Sequence, residues 1–135
     1  MDSKSMEKSM DKYEKGCEKA KEFIGEDALK ALIENHKVCA PQLSKFVIEN
    51  VWGDIFSRES SLSAQQLEML TVAVIGALGD CPGPLKAHMN GALNVGVKPE
   101  QISEILTVIA ALAGAPRALS AAAIAREVFR ERQLG

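Results

Sequence analysis

From Met6 the apolar positions Met6, Met10, Tyr13, Cys17, Ala20 and Ile24 step by four and three, with Lys and Glu on the other faces. This is a heptad stripe, and opposite charges three apart, as in Lys15 and Glu18, support it as an amphipathic helix. It predicts an amphipathic N-terminal helix over residues 1–25, with docking on a neighbouring subunit as one role open to it; the alternative is a frayed charged tail, because Gly16 and the many charges weaken an isolated helix. After Gly25, the residues Ala28, Leu29, Leu32 and Ile33 carry a second helix to about His36. Pro41 opens a third, with Leu43, Phe46, Val47 and Val51 on one face.

Ser63 followed three residues later by Gln66 reads as a capping box that starts a fourth helix, ending near Gly79. A fifth runs from about Pro84 to Asn94 and stops at Gly96. Pro99 opens a sixth that Gly114 ends, and Pro116 opens a seventh reaching about Arg132. No segment alternates with the period of a strand. The pattern predicts an all-α fold of about seven helices, with residues 26–135 forming the helical domain behind the N-terminal helix.

At 135 residues the chain suits a single domain, and its 47% hydrophobic but 4% aromatic content implies helices packed closely through small residues. A net charge of -2 argues against nucleic acid as a partner. The longest apolar run, "ILTVIAALAGA" at 105–115, falls short of a membrane span, and "MDSKSMEKSMDKYEKG" lacks the apolar run of a signal peptide. A cytoplasmic protein without a membrane partner is expected. Cys17, Cys39 and Cys81 are an odd set at irregular spacing, so neither a secreted disulfide framework nor a zinc site is suggested, and no cofactor is expected. His36 and Cys39 stand three apart near a helix end, but two ligands do not make a metal site.

An internal echo links "EMLTV" at 68–72 to "EILTV" at 104–108, each followed by a Gly-containing break, a proline and another helix. Two copies of a helix pair and plain helical periodicity both account for it. The segment "GDCPGPLKAH" at 79–88 sets Cys81 at the mouth of a helix and His88 seven residues later. A helix N-terminus favours a thiolate, whereas Asp80 beside it opposes one.

"FSRESSLS", "LKAHMNGALNVGVKPEQISEIL" and "AGAPRALSAAAIAREVF", in that order over roughly residues 50–130, closely resemble the carboxymuconolactone decarboxylase family, within the superfamily of alkylhydroperoxidase D-like proteins. The resemblance implies that superfamily's helical fold, assembled as a trimer or hexamer with sites near subunit contacts. It implies one of two chemistries. In decarboxylase members a cofactor-free site removes carbon dioxide from a lactone acid and protonates the resulting enolate. That chemistry needs cations to hold the anion and a general acid. Arg58 matches the family's arginine and His88 its histidine, but "SAQQLE" at 63–68 replaces the basic residues that usually follow.

In peroxidase members the pattern is a glutamate, then Cys-x-x-Cys, then a histidine, onto which Glu68, Cys81 and His88 fall. Pro84 stands where the second cysteine would be, and Glu68 lies one residue further from Cys81 than is usual. Seven helical residues span about 10 Å of rise, so position 84, not Cys81, would lie against His88.

Three readings follow. The first, narrowly preferred, is a thiol-dependent peroxidase or disulfide-exchange enzyme using Cys81 with His88 and Glu68, acting on a peroxide or disulfide and served by a thiol reductant. The second is a lyase for a small carboxylated lactone or related organic acid, with Arg58 as anion holder and His88 as proton donor. The third is a non-catalytic oligomer that binds a small ligand or another protein. Each residue also has a plain structural role open to it: Cys81 as a turn residue, His88 bonded to a carbonyl, Glu68 as a carboxylate near a helix start, Arg58 in a surface salt bridge, and Glu104 as structural.

Overall fold

The computed structural model describes the backbone of residues 3–134 and the side chains from Lys12 to Leu134. Met6 and Met10 of the heptad stripe therefore lie outside the described side chains. Every regular element among the described residues is helical, in the order α1 (Ser3–Ile24), α2 (Glu26–His36), α3 (Pro41–Phe46) running on as a π segment (Val47–Ile55), α4 (Ala64–Leu78), α5 (Pro82–Asn94), α6 (Pro99–Ala113) and α7 (Ala115–Glu131). No described helix is long and apolar enough to cross a membrane. The chain divides into two compact units, Met1–Ser61 and Leu62–Gly135.

In the first unit α1 lies directly on the π segment. A Cβ on Gly16 would sit 2.0 Å from the Ile48 carbonyl oxygen, and one on Gly53 would sit 2.3 Å from that of Lys12. The two backbones meet at these glycines, so Gly16, which costs α1 intrinsic helicity, is what lets it dock. Phe23, Trp52 and Phe56 close the contact, with ring centroids 4.6 to 5.8 Å apart.

The third helix buries a different face from the one its apolar spacing predicts. Leu43 and Phe46 are 53% and 59% exposed, whereas Ser44, Ile48, Trp52 and Phe56 turn inward at intervals of four. Turns of i→i+5 type, such as Phe56 N–H to Val51 C=O at 2.8 Å, raise the residues per turn above 3.6. A repeat of four then stays on one side.

The second unit is built from α4 to α7 around Val72, Leu85, Met89, Ile102, Ile109 and Val128, with Ala92, Ala118, Ala121 and Ala125 keeping the helices close. Gly76 of α4 admits the Ile109 side chain, whose Cδ1 would be 2.7 Å from an added Cβ. The internal echo does not extend to environment. Glu68 and Val72 are buried, but their counterparts Glu104 and Val108 are exposed, because α4 buries 68, 72 and 76 while α6 buries 102, 105 and 109.

Gly16→Ala is expected to lower the stability of the first unit by about 2 kcal/mol or more, the scale of backbone overpacking. Gly83→Ala, whose added Cβ meets nothing within 4 Å, should be neutral or slightly stabilising. Urea unfolding followed by circular dichroism compares the two; equal, small effects would show that the α1 contact is looser than described.

Candidate active site

The site begins with the start of α4. Ser63 Oγ accepts from the Gln66 N–H at 3.1 Å and the Gln66 side chain accepts from the Ser63 N–H at 2.9 Å, so the capping box forms as the spacing predicts. Starting the helix at Ala64 puts Glu68 in its second turn on the inward face, in line with Val72 and Gly76. Glu68 is 0% exposed, so it is a core carboxylate rather than a solvated one near a helix end.

On α5, Leu85, Met89 and Ala92 face the core, and His88 sits at their edge with 12% of its side chain exposed. Its Nδ1 lies 2.9 Å from Glu68 Oε1. An ionised carboxylate can only accept, so with Glu68 charged the Nδ1–H donates and the imidazole orientation is set. Glu68 Oε2 has no hydrogen-bond partner among the described residues, which leaves His88 as the side chain offsetting this buried group. Such a pair can hold an imidazolium ready to give up a proton, or orient a neutral imidazole to take one.

Cys81 lies elsewhere. It is the N-cap of α5, and its thiol donates to the Gly79 carbonyl at 3.3 Å instead of accepting from the helix start. Pro82 and Pro84 remove two of the first three N–H groups of α5, which weakens that terminus as a thiolate site. With Asp80, at φ 60°, Cys81 lines a cleft of about 200 Å³ whose walls include Leu85, Arg117 and Ser120, but not His88. The structure thus brings Glu68 and His88 together and leaves Cys81 apart from both, as the helical rise anticipates.

Arg117 is a residue that sequence reasoning missed. Its Nη1 donates to the carbonyls of Ala77, at 3.2 Å, and Leu78, where the negative end of the α4 dipole lies. The one available signal was its place in "AGAPRALS", directly after a helix-opening proline. Arg58 belongs to the first unit, where it pairs with Asp54 at 3.2 Å, half exposed. His36 and Cys39 each bond a carbonyl of their own helix turn, Leu32 and Asn35. Burial pushes the Cys17 thiol up from its ordinary value, against a smaller opposing effect of its hydrogen bond with Tyr13. No group of three or more potential metal-ligating side chains occurs among the described residues.

Comparison with known proteins now bears on this geometry. The sequence profile of the carboxymuconolactone decarboxylase family matches residues 41–127. The chain belongs to that family. It is also 28% identical over 120 residues to a protein named 4-carboxymuconolactone decarboxylase from Acinetobacter baylyi, covering 89% of this chain and 88% of that one. Within the family-matched region lie Arg58, Glu68, Cys81, His88 and Arg117. The N-terminal helix α1 lies outside it.

The burial of Glu68 yields a stability prediction. His88→Ala leaves a carboxylate unpaired in the core and is expected to cost about 3–5 kcal/mol, as removal of one partner from a buried pair does. Adding Glu68→Leu to that variant should recover most of the loss, since an apolar side chain of similar volume suits the site. Urea midpoints for the two variants check this; a double variant no more stable than His88→Ala would refute the pairing as described.

Proposed function

We propose that this protein is a cofactor-free lyase of the decarboxylase type, acting on a small carboxylated lactone or a related organic acid. The observation that carries this reading is the Glu68–His88 hydrogen bond of 2.9 Å, formed by a fully buried carboxylate and an imidazole that keeps a narrow exposed edge. Because only His88 reaches solvent, it is the member that meets the substrate. Glu68 is a positioning residue that orients the imidazole through Nδ1.

In the reaction, the bond from the substrate carbon to its carboxylate breaks and carbon dioxide leaves. The bonding electrons flow into the conjugated carbonyl system as an enolate. The imidazolium then delivers a proton from Nε2 to carbon, and water restores it. A cation is needed for the substrate's anionic group. Arg117 suits that role better than Arg58. It lines the cleft that also contains Leu85, which is three residues, about one helical turn, from His88 on α5, whereas Arg58 is already shared with Asp54.

A thiol-dependent peroxidase remains the second reading, favoured by the place of Cys81 in the 200 Å³ cleft. There the thiolate would attack a peroxide oxygen, release water or an alcohol and become a sulfenic acid, to be returned by an outside thiol reductant. The lyase reading ranks above it because the Cys81 thiol is bonded to a carbonyl and is not paired with His88.

Both readings include self-association as a trimer or hexamer. What supports assembly is α4, whose outer face carries Leu70, Val74 and Leu78 at 53%, 50% and 63% exposure, an apolar face turned to solvent.

Incubation with 4-carboxymuconolactone, with detection of released carbon dioxide, separates the readings. Wild-type and Cys81→Ser protein should release it equally, while Glu68→Gln, which keeps the size of the side chain, should reduce the rate by about a hundredfold, within the usual range for impaired acid–base catalysis. No release by wild-type protein, together with peroxide consumption that Cys81→Ser abolishes, would favour the thiol enzyme instead. Sedimentation velocity tests assembly: a species well above 14.5 kDa is expected, reduced in mass by Val74→Lys. A wild-type monomer would contradict it.

A further inference from the structure

An open groove of about 720 Å³ runs along α6 and α7, within the size range of small-ligand sites. Its floor is apolar, formed by Leu106, Ala122, Ala125 and Phe129, and its cations are Arg126 and Arg130. It shares no lining residue with the Cys81 cleft, and neither Glu68 nor His88 borders it.

The charges of α7 are sorted by face. Its acidic residues Glu127 and Glu131 are both held by Lys86 of α5, at 2.8 and 2.9 Å. The Glu127 carboxyl is kept below its ordinary value first by that hydrogen bond and least by Arg130. Arg126 and Arg130 stand four apart on the groove side, an arrangement in which like charges repel. Among the described residues neither guanidinium has a hydrogen bond or ion pair. Two cations with no ion pair to an internal carboxylate, next to an apolar floor, complement a molecule with an anionic end and an apolar body. Inorganic phosphate would leave the floor unused. A planar carboxylate suits the fork of a guanidinium.

We propose that this groove is a second ligand site, taking an organic acid whose apolar body lies on Leu106 and Phe129 and whose carboxylate is held by Arg126 and Arg130. The proposal does not depend on the decarboxylase reading, because its test reads binding and not turnover.

Octanoate is the probe, with octanol and octylammonium as neutral and cationic counterparts. Calorimetry should detect octanoate binding that the double variant R126Q/R130Q weakens at least tenfold, and octanol and octylammonium should bind at least tenfold more weakly than octanoate. Methyl NMR should shift Leu106 and the alanines of the groove. Both arginines are exposed, so the variant should keep the wild-type circular dichroism spectrum. Absence of octanoate binding at millimolar concentration, equal binding by the variant, or shifts confined to the Cys81 cleft would each overturn the proposal. So would dissociation of an assembled species by R126Q/R130Q, which would make the groove an interface between copies.

Discussion

A carboxylate withdrawn from water constrains the second unit more than any other group. Glu68 has no exposed surface, and the hydrogen bond from His88 is the contact that offsets its desolvation. To bury it, α4 must be covered by α5, and Gly76 on the same face lets Ile109 of α6 approach closely. Replacing the Glu68–His88 pair as a whole by well-packed apolar side chains would be neutral or stabilising, whereas removing one partner alone is costly. A carboxyl buried in the core against an imidazole at the edge of the core is the geometry on which the proposed proton transfer rests.

The same packing accounts for the separation of Cys81 from His88. Cys81 caps α5 and His88 lies two turns further on, so the two are not the neighbours on that helix that the second thiol and the histidine of a Cys-x-x-Cys site would be. Pro84 occupies the place from which a thiol would reach His88, and it also removes an N–H that would steady an anion at the helix start. Arg117 lines the same cleft and binds the final carbonyls of α4, so that cation is fixed by backbone contacts.

Much of the fold was legible because its signals are local. Ser63 and Gln66, Pro99 and Gly114 mark helix ends through their own side chains or backbone restrictions, and the structure has ends at or beside those residues. The inward face of the third helix was not legible: apolar spacing assumes 3.6 residues per turn, and the π segment departs from it, so that Ile48, Trp52 and Phe56 face inward at intervals of four. The close approach of α1 at Gly16 and Gly53 was hidden for another reason, since a glycine reads as a helix weakener until its neighbour is known. Glu68 and His88 were both identifiable from the family's pattern, but their contact depends on the register of α4 against α5. Arg117 escaped notice because its partners lie about 40 residues away.

The central claim is that Glu68 sets the tautomer and orientation of the His88 ring through Nδ1, and nitrogen-15 NMR of the imidazole reads this directly. In the neutral ring the account predicts a proton on Nδ1 and a pyridine-type Nε2, with Glu68→Gln disturbing that preference. A wild-type ring protonated mainly on Nε2, or one whose tautomer ignores Glu68→Gln, would contradict it.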